Sequence, residues 1–233
     1  MSIAAPVADA DLRNEAAYTL AEAARYLKLP PATLRSWVLG RDYPTAEGGG
    51  HFPPLIVPAS SRPPLLSFSN LIEAHVLRAL RTEHGVSVRA VRDALAFAEK
   101  KLRVRRLLLR KELCTNAGEM FLDRYGQLID LSASGQLAMR HVLREHLKRI
   151  EWDDAMFPVR LFPFVSSESR AEDRPIVIDP RIAFGRPVLS SKGISTAAIA
   201  ERIDAGESVE DLAADYALPG TMIERAVLYE RAA

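Results

Sequence analysis

Cysteine is almost missing from this chain: Cys114 is the single one among 233 residues. No intrachain disulfide framework can form, which excludes the small disulfide-scaffold class and fits a reducing cytoplasm. Long apolar runs are missing too, and none approaches the roughly 20 residues that a membrane-spanning helix needs. The opening MSIAAPVADADLRNEAA has neither the basic start nor the apolar stretch of a signal peptide, so residues 1–17 read as a disordered leader. A cytoplasmic location without a membrane partner is expected.

The usual marks of catalysis are absent as well. There is no HExxH, paired CxxC, Walker A lysine loop, GxSxG elbow or dinucleotide glycine fingerprint, so the chain does not read as an enzyme and no cofactor is expected. GRPVLSSKG (185–193) lacks the second glycine of a phosphate loop and reads as a strand entering a turn. The five histidines are scattered. His141 and His146 lie five apart, a spacing that does not put both on one helix face as four would, and no metal site is expected. Gly48-Gly49-Gly50 reads as a flexible loop tip.

What is present is an uneven distribution of charge under a formal net of +1. Residues 1–112 hold 17 Lys and Arg against 11 Asp and Glu, a net of +6, whereas 113–233 hold 14 against 19, a net of −5. A basic half suits a polyanion; an acidic half suits a different partner. With 48% apolar and 26% charged residues, the chain has enough apolar material for real cores.

Thr19 and Glu22 have capping-box spacing and open a predicted helix at 20–27. Pro30 and Pro31 make a hinge, and Pro31 suits the first turn of a second helix at 31–39. In the Gly/Pro-rich stretch that follows, LIV (55–57) and LLSF (65–68) are the expected strands of a small hairpin, or wing. A helix at 69–83, capped by Ser69 or Asn70, precedes a longer one at 88–110 whose Val88, Val91, Leu95, Ala98, Leu102 and Leu109 keep a near-heptad stripe. Residues 111–131 read as a β-meander, 134–149 as a helix, 157–164 as an edge strand and 166–174 as a polar linker. A strand at 176–179 and helices at 195–205, 208–216 and 220–232 complete the chain. The expected fold is α+β, mainly α, divided into a leader (1–17), a DNA-binding and dimerisation unit (18–110), a central α+β segment (111–173) and a C-terminal three-helix unit (174–233).

A helix that enters the major groove needs a short hinge and polar or cationic side chains near its N-terminus. In PPATLRSWV, Thr33, Arg35 and Ser36 are predicted to project while Leu34, Trp37 and Val38 pack inward. YTLAEAARYLKLPPATLRSWV (18–38), followed by a wing, by Phe68 at the head of a helix, by HGVSVRAVRDAL (84–95) and by a long helix, resembles the winged helix-turn-helix of the MerR family over 18–110. The resemblance implies that Thr33 and Arg35 contact double-stranded DNA and that the chain is a homodimer. Pro30 replaces the family's capping serine, and the wing is longer. By position, Arg41 and Arg62 are candidate wing or backbone contacts. In KKLRVRRLLLRK (100–111), Arg103, Arg106 and Arg110 are expected on one side of a helix, either touching phosphate or lining the solvated face of a dimerisation helix.

The C-terminal outline SVEDLAADYALPGTMIERAVLYE (208–230) repeats the helix–hinge–helix pattern. Residues 195–233 carry three arginines against eight acids, however, and a net of −5 repels phosphate. Asp179-Pro180, Gly185, Pro187, Gly206, Ser208, Glu210, Tyr216, Ala226 and Tyr229 give 174–231 a pattern that resembles the family called domain of unknown function 433. Ser191-Lys192-Gly193 stands where that family has Gly-Thr-Arg. The resemblance implies a VapB-type antitoxin that binds a PIN-like ribonuclease toxin and represses its own operon as a DNA-binding repressor. Arg186 and Lys192 are the candidates to enter that toxin's carboxylate-lined site. The alternative is a MerR-like one-component regulator whose later half senses a small ligand.

Overall fold

Thr19 and Glu22 close the expected capping box: Thr19 Oγ1 accepts from Glu22 N at 3.2 Å, and Glu22 Oε2 accepts from Thr19 N at 2.9 Å. The helix so capped is α1 (Leu20–Leu27), which Lys28 ends in the left-handed region at φ 53. Pro30 offers no side-chain cap, but its carbonyl accepts the N–H groups of Thr33 and Leu34 at 2.9 and 3.2 Å and opens α2 (Pro31–Leu39). Leu34, Trp37 and Val38 are buried, as their spacing predicts. The computed structural model of the chain describes residues 11–45, 48–81, 88–103, 105–110, 133–165 and 173–232.

The wing forms from other residues than expected. Its strands are β2 (Arg41–Thr45) and β3 (Gly48–Phe52), paired antiparallel from Arg41 opposite Phe52 to Thr45 opposite Gly48. Gly40 turns the chain into it at φ 78, where a Cβ would lie 2.5 Å from the Phe52 carbonyl oxygen. The Tyr43 ring stacks on Phe52 at 4.0 Å and covers Gly50, whose missing side chain makes the room. A two-stranded hairpin is all edge, so Pro44 deprives no inner ladder of a donor. Leu55 and Ile56 are not in a strand: their N–H groups donate to the Trp37 carbonyl at 2.7 and 3.0 Å and so close the last turn of α2. Past them, β4 (Ser60–Ser61) and β5 (Pro64–Leu66) join β1 (Tyr18–Thr19) in a separate three-stranded sheet ordered β1-β5-β4.

Helix α3 (Phe68–Arg81) starts earlier than predicted, because Ser67 rather than Ser69 or Asn70 is the cap; Ser67 Oγ accepts from Asn70 N at 3.3 Å. The expected 88–110 helix stops as α4 (Val88–Leu102). Arg103 and Arg106 turn left-handed at φ 55 and 54, and Leu107–Leu109 form a single 3₁₀ turn with all three leucines buried. Three successive leucines cannot share one helical stripe, so burying them all requires the break. Glu99 accepts from Leu107 N at 2.9 Å, and Arg106 forks onto Glu73 at 2.9 Å through both nitrogens. Arg103, Arg106 and Arg110 therefore do not share a helix face. The guanidinium of Arg110 lies over Phe157 at 4.6 Å.

The predicted β-meander lies outside the described residues, as does most of the polar linker. After it come α5 (Ala133–Leu147) and a hairpin of β6 (Ile150–Trp152) and β7 (Pro158–Leu161), shorter than the predicted 157–164 strand. Leu143, Leu147, Ile150 and Leu161 pack into the same core as Leu34, Trp37 and Phe68. Arg149, fully buried, donates to the carbonyls of Phe162, Pro163 and Asp173 and ties this hairpin to the C-terminal unit.

That unit begins with β8 (Ile176–Val177) and β9 (Val188–Leu189), and continues as α6 (Thr196–Asp204), α7 (Val209–Tyr216) and α8 (Gly220–Arg231). Ile199, Leu212, Ile223, Ala226 and Tyr229 fill its core. The class is α+β and mainly helical, with short sheets only.

Candidate nucleic-acid face and partner-facing end

The two helix–hinge–helix outlines coincide residue for residue at an offset of 189. Thr19 and Ser208 each cap a helix through the N–H three residues on. Lys28 (φ 53) and Ala217 (φ 48) each end it left-handed, and Pro30 and Pro219 stand at the N-cap of the next helix with φ −56 and −59. Leu34 and Ile223, the corresponding apolar positions, are both fully buried. One step later stand Arg35 and Glu224, both exposed. Closely similar backbone geometry thus presents a cation in the first outline and an anion in the second.

Thr33, Arg35 and Ser36 are brought together on the first two turns of α2. Arg35 is exposed, whereas Thr33 and Ser36 are half-buried, and Ser36 Oγ donates to the Thr33 carbonyl at 2.8 Å. Arg41 follows directly through Gly40 and is exposed at the root of the wing. Arg62, also exposed, lies in the β4–β5 turn of the other sheet. Sequence reasoning missed the hairpin side chains beside Arg41: exposed Asp42 and His51 pair at 2.7 Å across its strands. A Gly-rich stretch with one proline carries no strand signal that could have revealed them.

The second outline is docked on the back of the first. Tyr229 Oη donates to the Tyr26 carbonyl at 2.8 Å, Glu230 pairs with Arg25 at 3.4 Å, and Tyr18 Oη donates to the Gly185 carbonyl at 3.1 Å. Lys28 Nζ bonds the Tyr229 carbonyl and sits over its ring at 4.0 Å. Burial lowers the Lys28 ammonium to about 8, against the pull of Glu230, and raises the Tyr229 phenol well above its ordinary range. Each hinge is also clamped by a distant cation. Arg78 donates to the Leu27 carbonyl at 2.6 Å, and Lys192 donates to the Tyr216 and Ala217 carbonyls at 2.7 and 2.9 Å. Lys192, a predicted partner contact, is thereby engaged within the chain, while Arg186 is exposed.

Beneath the first outline, His75 Nε2 meets the His146 carbonyl at 3.0 Å, and the two rings lie 5.0 Å apart against Phe164. Burial drives His75 well below its ordinary pKa and pushes His146 down to about 4, so both are neutral near pH 7. Among the described residues no group of three or more His, Cys, Asp or Glu side chains is placed to hold a metal, and no helix is long and apolar enough to cross a membrane. A groove of about 720 Å³ opens between Pro53–Ala59, α3 and α4, lined by Leu55, Leu95 and Leu107 with Glu73, Arg92 and Arg106.

Fold and face together define a helix-turn-helix protein that ends in an acidic helical unit. Residues 16–95 match the family described as "Putative DNA-binding HTH domain", and residues 176–229 match "Protein of unknown function (DUF433)". The chain is 30% identical over 218 residues to "Putative antitoxin VapB45" of Mycobacterium tuberculosis, spanning 85% of this chain and 87% of that protein. It belongs to that antitoxin's family. It is also 24% identical over 220 residues to the uncharacterized protein Rv2308 of the same organism, spanning 92% and 90% of the two chains. The crystal structure of Rv2018 from Mycobacterium tuberculosis shares the fold, with a TM-score of 0.65 and 23% identity over 91% of this chain and 98% of that one.

Proposed function

We propose that the chain is a cytoplasmic DNA-binding antitoxin: its first outline reads the operator of its own operon, and its acidic end binds and neutralises a PIN-like ribonuclease toxin. The observation that carries this reading is the opposite charge set on one backbone geometry, Arg35 in the first outline and Glu224 in the second. Thr33, Arg35 and Ser36 meet base edges or phosphate, and Arg41 and Arg62 grip the flanking backbone. A homodimer presents two such helices to two half-sites. Arg186 and Lys192 contact the toxin; the Lys192 ammonium, exposed, also donates to the Tyr216 and Ala217 carbonyls of the second hinge.

The test is a gel-shift titration on the gene's own promoter across a salt series. Affinity falls with a log–log slope of about −0.9 for each phosphate neutralised. A slope near zero, or no shift at all, contradicts the DNA-reading half. The groove of about 720 Å³ keeps a second reading in view, a regulator that senses a small ligand. Its Glu73 and Arg106 already satisfy each other, which favours a structural role. Co-purification with the product of the adjacent gene separates the two readings.

A further inference from the structure

The turn between β8 and β9 holds an aromatic ring out in water. Ala183 and Phe184 take φ 48 and 56, two successive non-glycine residues in the left-handed region that a Cβ disfavours. Phe184 is 90% exposed, so burial of its ring does not offset this conformation.

The turn is nevertheless held in place from both ends. Asp179 receives Arg181 N at 2.9 Å, Arg181 Nη2 at 2.9 Å and Arg160 Nε at 2.8 Å. Ile182 N donates to the Asp179 carbonyl, and Gly185 N to that of Ile182, both at 2.9 Å. Gly185 sits so close to Tyr18 that a Cβ would fall 2.0 Å from the phenolic oxygen. A ring presented on so fixed a turn loses little conformational freedom on binding. Exposed Arg186 stands two residues on, and Leu12 (39% exposed) and Pro180 line the shallow groove that also holds Phe184 and Arg186.

We propose that Phe184 and Arg186 form the anchor by which the chain grips its protein partner, the ring entering an apolar pocket whose rim carries carboxylates for Arg186. This rests on the antitoxin reading and names the surface that reading requires. Buried aromatic and arginine side chains supply most of the energy at protein interfaces. Nucleic acid is disfavoured here, because Glu22, Glu201 and Glu230 outnumber Arg25 and Arg186 along the groove beside the turn and would repel phosphate. A two-fold contact with a second copy is disfavoured too, because centring it on this turn brings each Arg186 towards its own copy.

The experiment uses the full chain and the purified product of the adjacent gene, with binding measured by calorimetry. F184A weakens binding by about thirtyfold or more, and R186E by roughly tenfold. Val57→Ala, at a 77% exposed position on another face, leaves binding unchanged. Phe184 is almost fully exposed, so F184A keeps the wild-type melting temperature, which separates lost binding from misfolding. Equal binding by F184A and wild type overturns the anchor and leaves the antitoxin reading intact. Absence of binding by the wild type overturns both. If F184A instead abolishes self-association in sedimentation, or lowers promoter affinity, Phe184 serves a second copy or DNA and the proposal fails.

Discussion

One backbone device appears twice in this chain, and the two copies differ in what surrounds them. Both have a hydroxyl cap, a left-handed end, a Leu-Pro hinge and a buried aliphatic at the next helix's inner face. In the first copy the second helix keeps Arg35 in solvent and runs through Gly40 into a hairpin. In the second copy the helix buries Tyr229 against α1 and shows Glu224. Shared geometry therefore establishes a fold, and in the proposed function it is the exposed charges with the neighbouring elements that carry the difference.

The strongest way to break the comparison is at its shared core positions. Leu34→Ala and Ile223→Ala each cost about 3 kcal/mol, since both side chains are fully buried. Because α8 is bonded to α1, both variants shift one common urea transition; two separate transitions would show that the copies fold independently.

Acid sharpens the contrast, because His75 and His146 lie under the first copy and no histidine follows residue 146. The folded state refuses protons that the unfolded chain takes up near pH 6.5. Stability is thus fully present above that pH and is lost as pH falls towards about 4, by on the order of 3 kcal/mol from His146 alone. His75 acts in the same direction. Amide exchange at pH 5 exposes the first copy's core before α6 and α7. Equal loss across both copies would contradict the placement of the sensitivity.

The smallest effect comes from the caps. Thr19→Ala and Ser208→Ala each cost about 1 kcal/mol in chemical denaturation, and a marked inequality would mean that the two caps are not equivalent.

Much of this was legible in the sequence because it is local. Thr19 with Glu22, the proline hinge and the i, i+4 spacing of Leu212 with Tyr216 and of Ile223 with Val227 are signals written within one or two turns. The break after Leu102 was hidden because Leu109 continues the near-heptad stripe, and only tertiary burial shows that Leu107 and Leu108 must be inside as well. The wing was hidden because Tyr43 stacking on Phe52 across Gly50 organises residues with poor strand propensity. The bond from Lys192 to the Tyr216 carbonyl was hidden because it joins residues 24 apart in sequence. Phe184 gave no signal at all, since exposure of an apolar side chain is a property of the whole fold.

Arg35 and Glu224 occupy equivalent places, and the proposed function gives them opposite duties. Arg35→Glu and Glu224→Arg, titrated side by side against the gene's own promoter at fixed salt, test that directly. Arg35→Glu is expected to weaken binding by about a hundredfold, whereas Glu224→Arg leaves it within a factor of about two. Equal losses in the two variants, or a loss in Glu224→Arg alone, would contradict the assignment of DNA reading to the first copy.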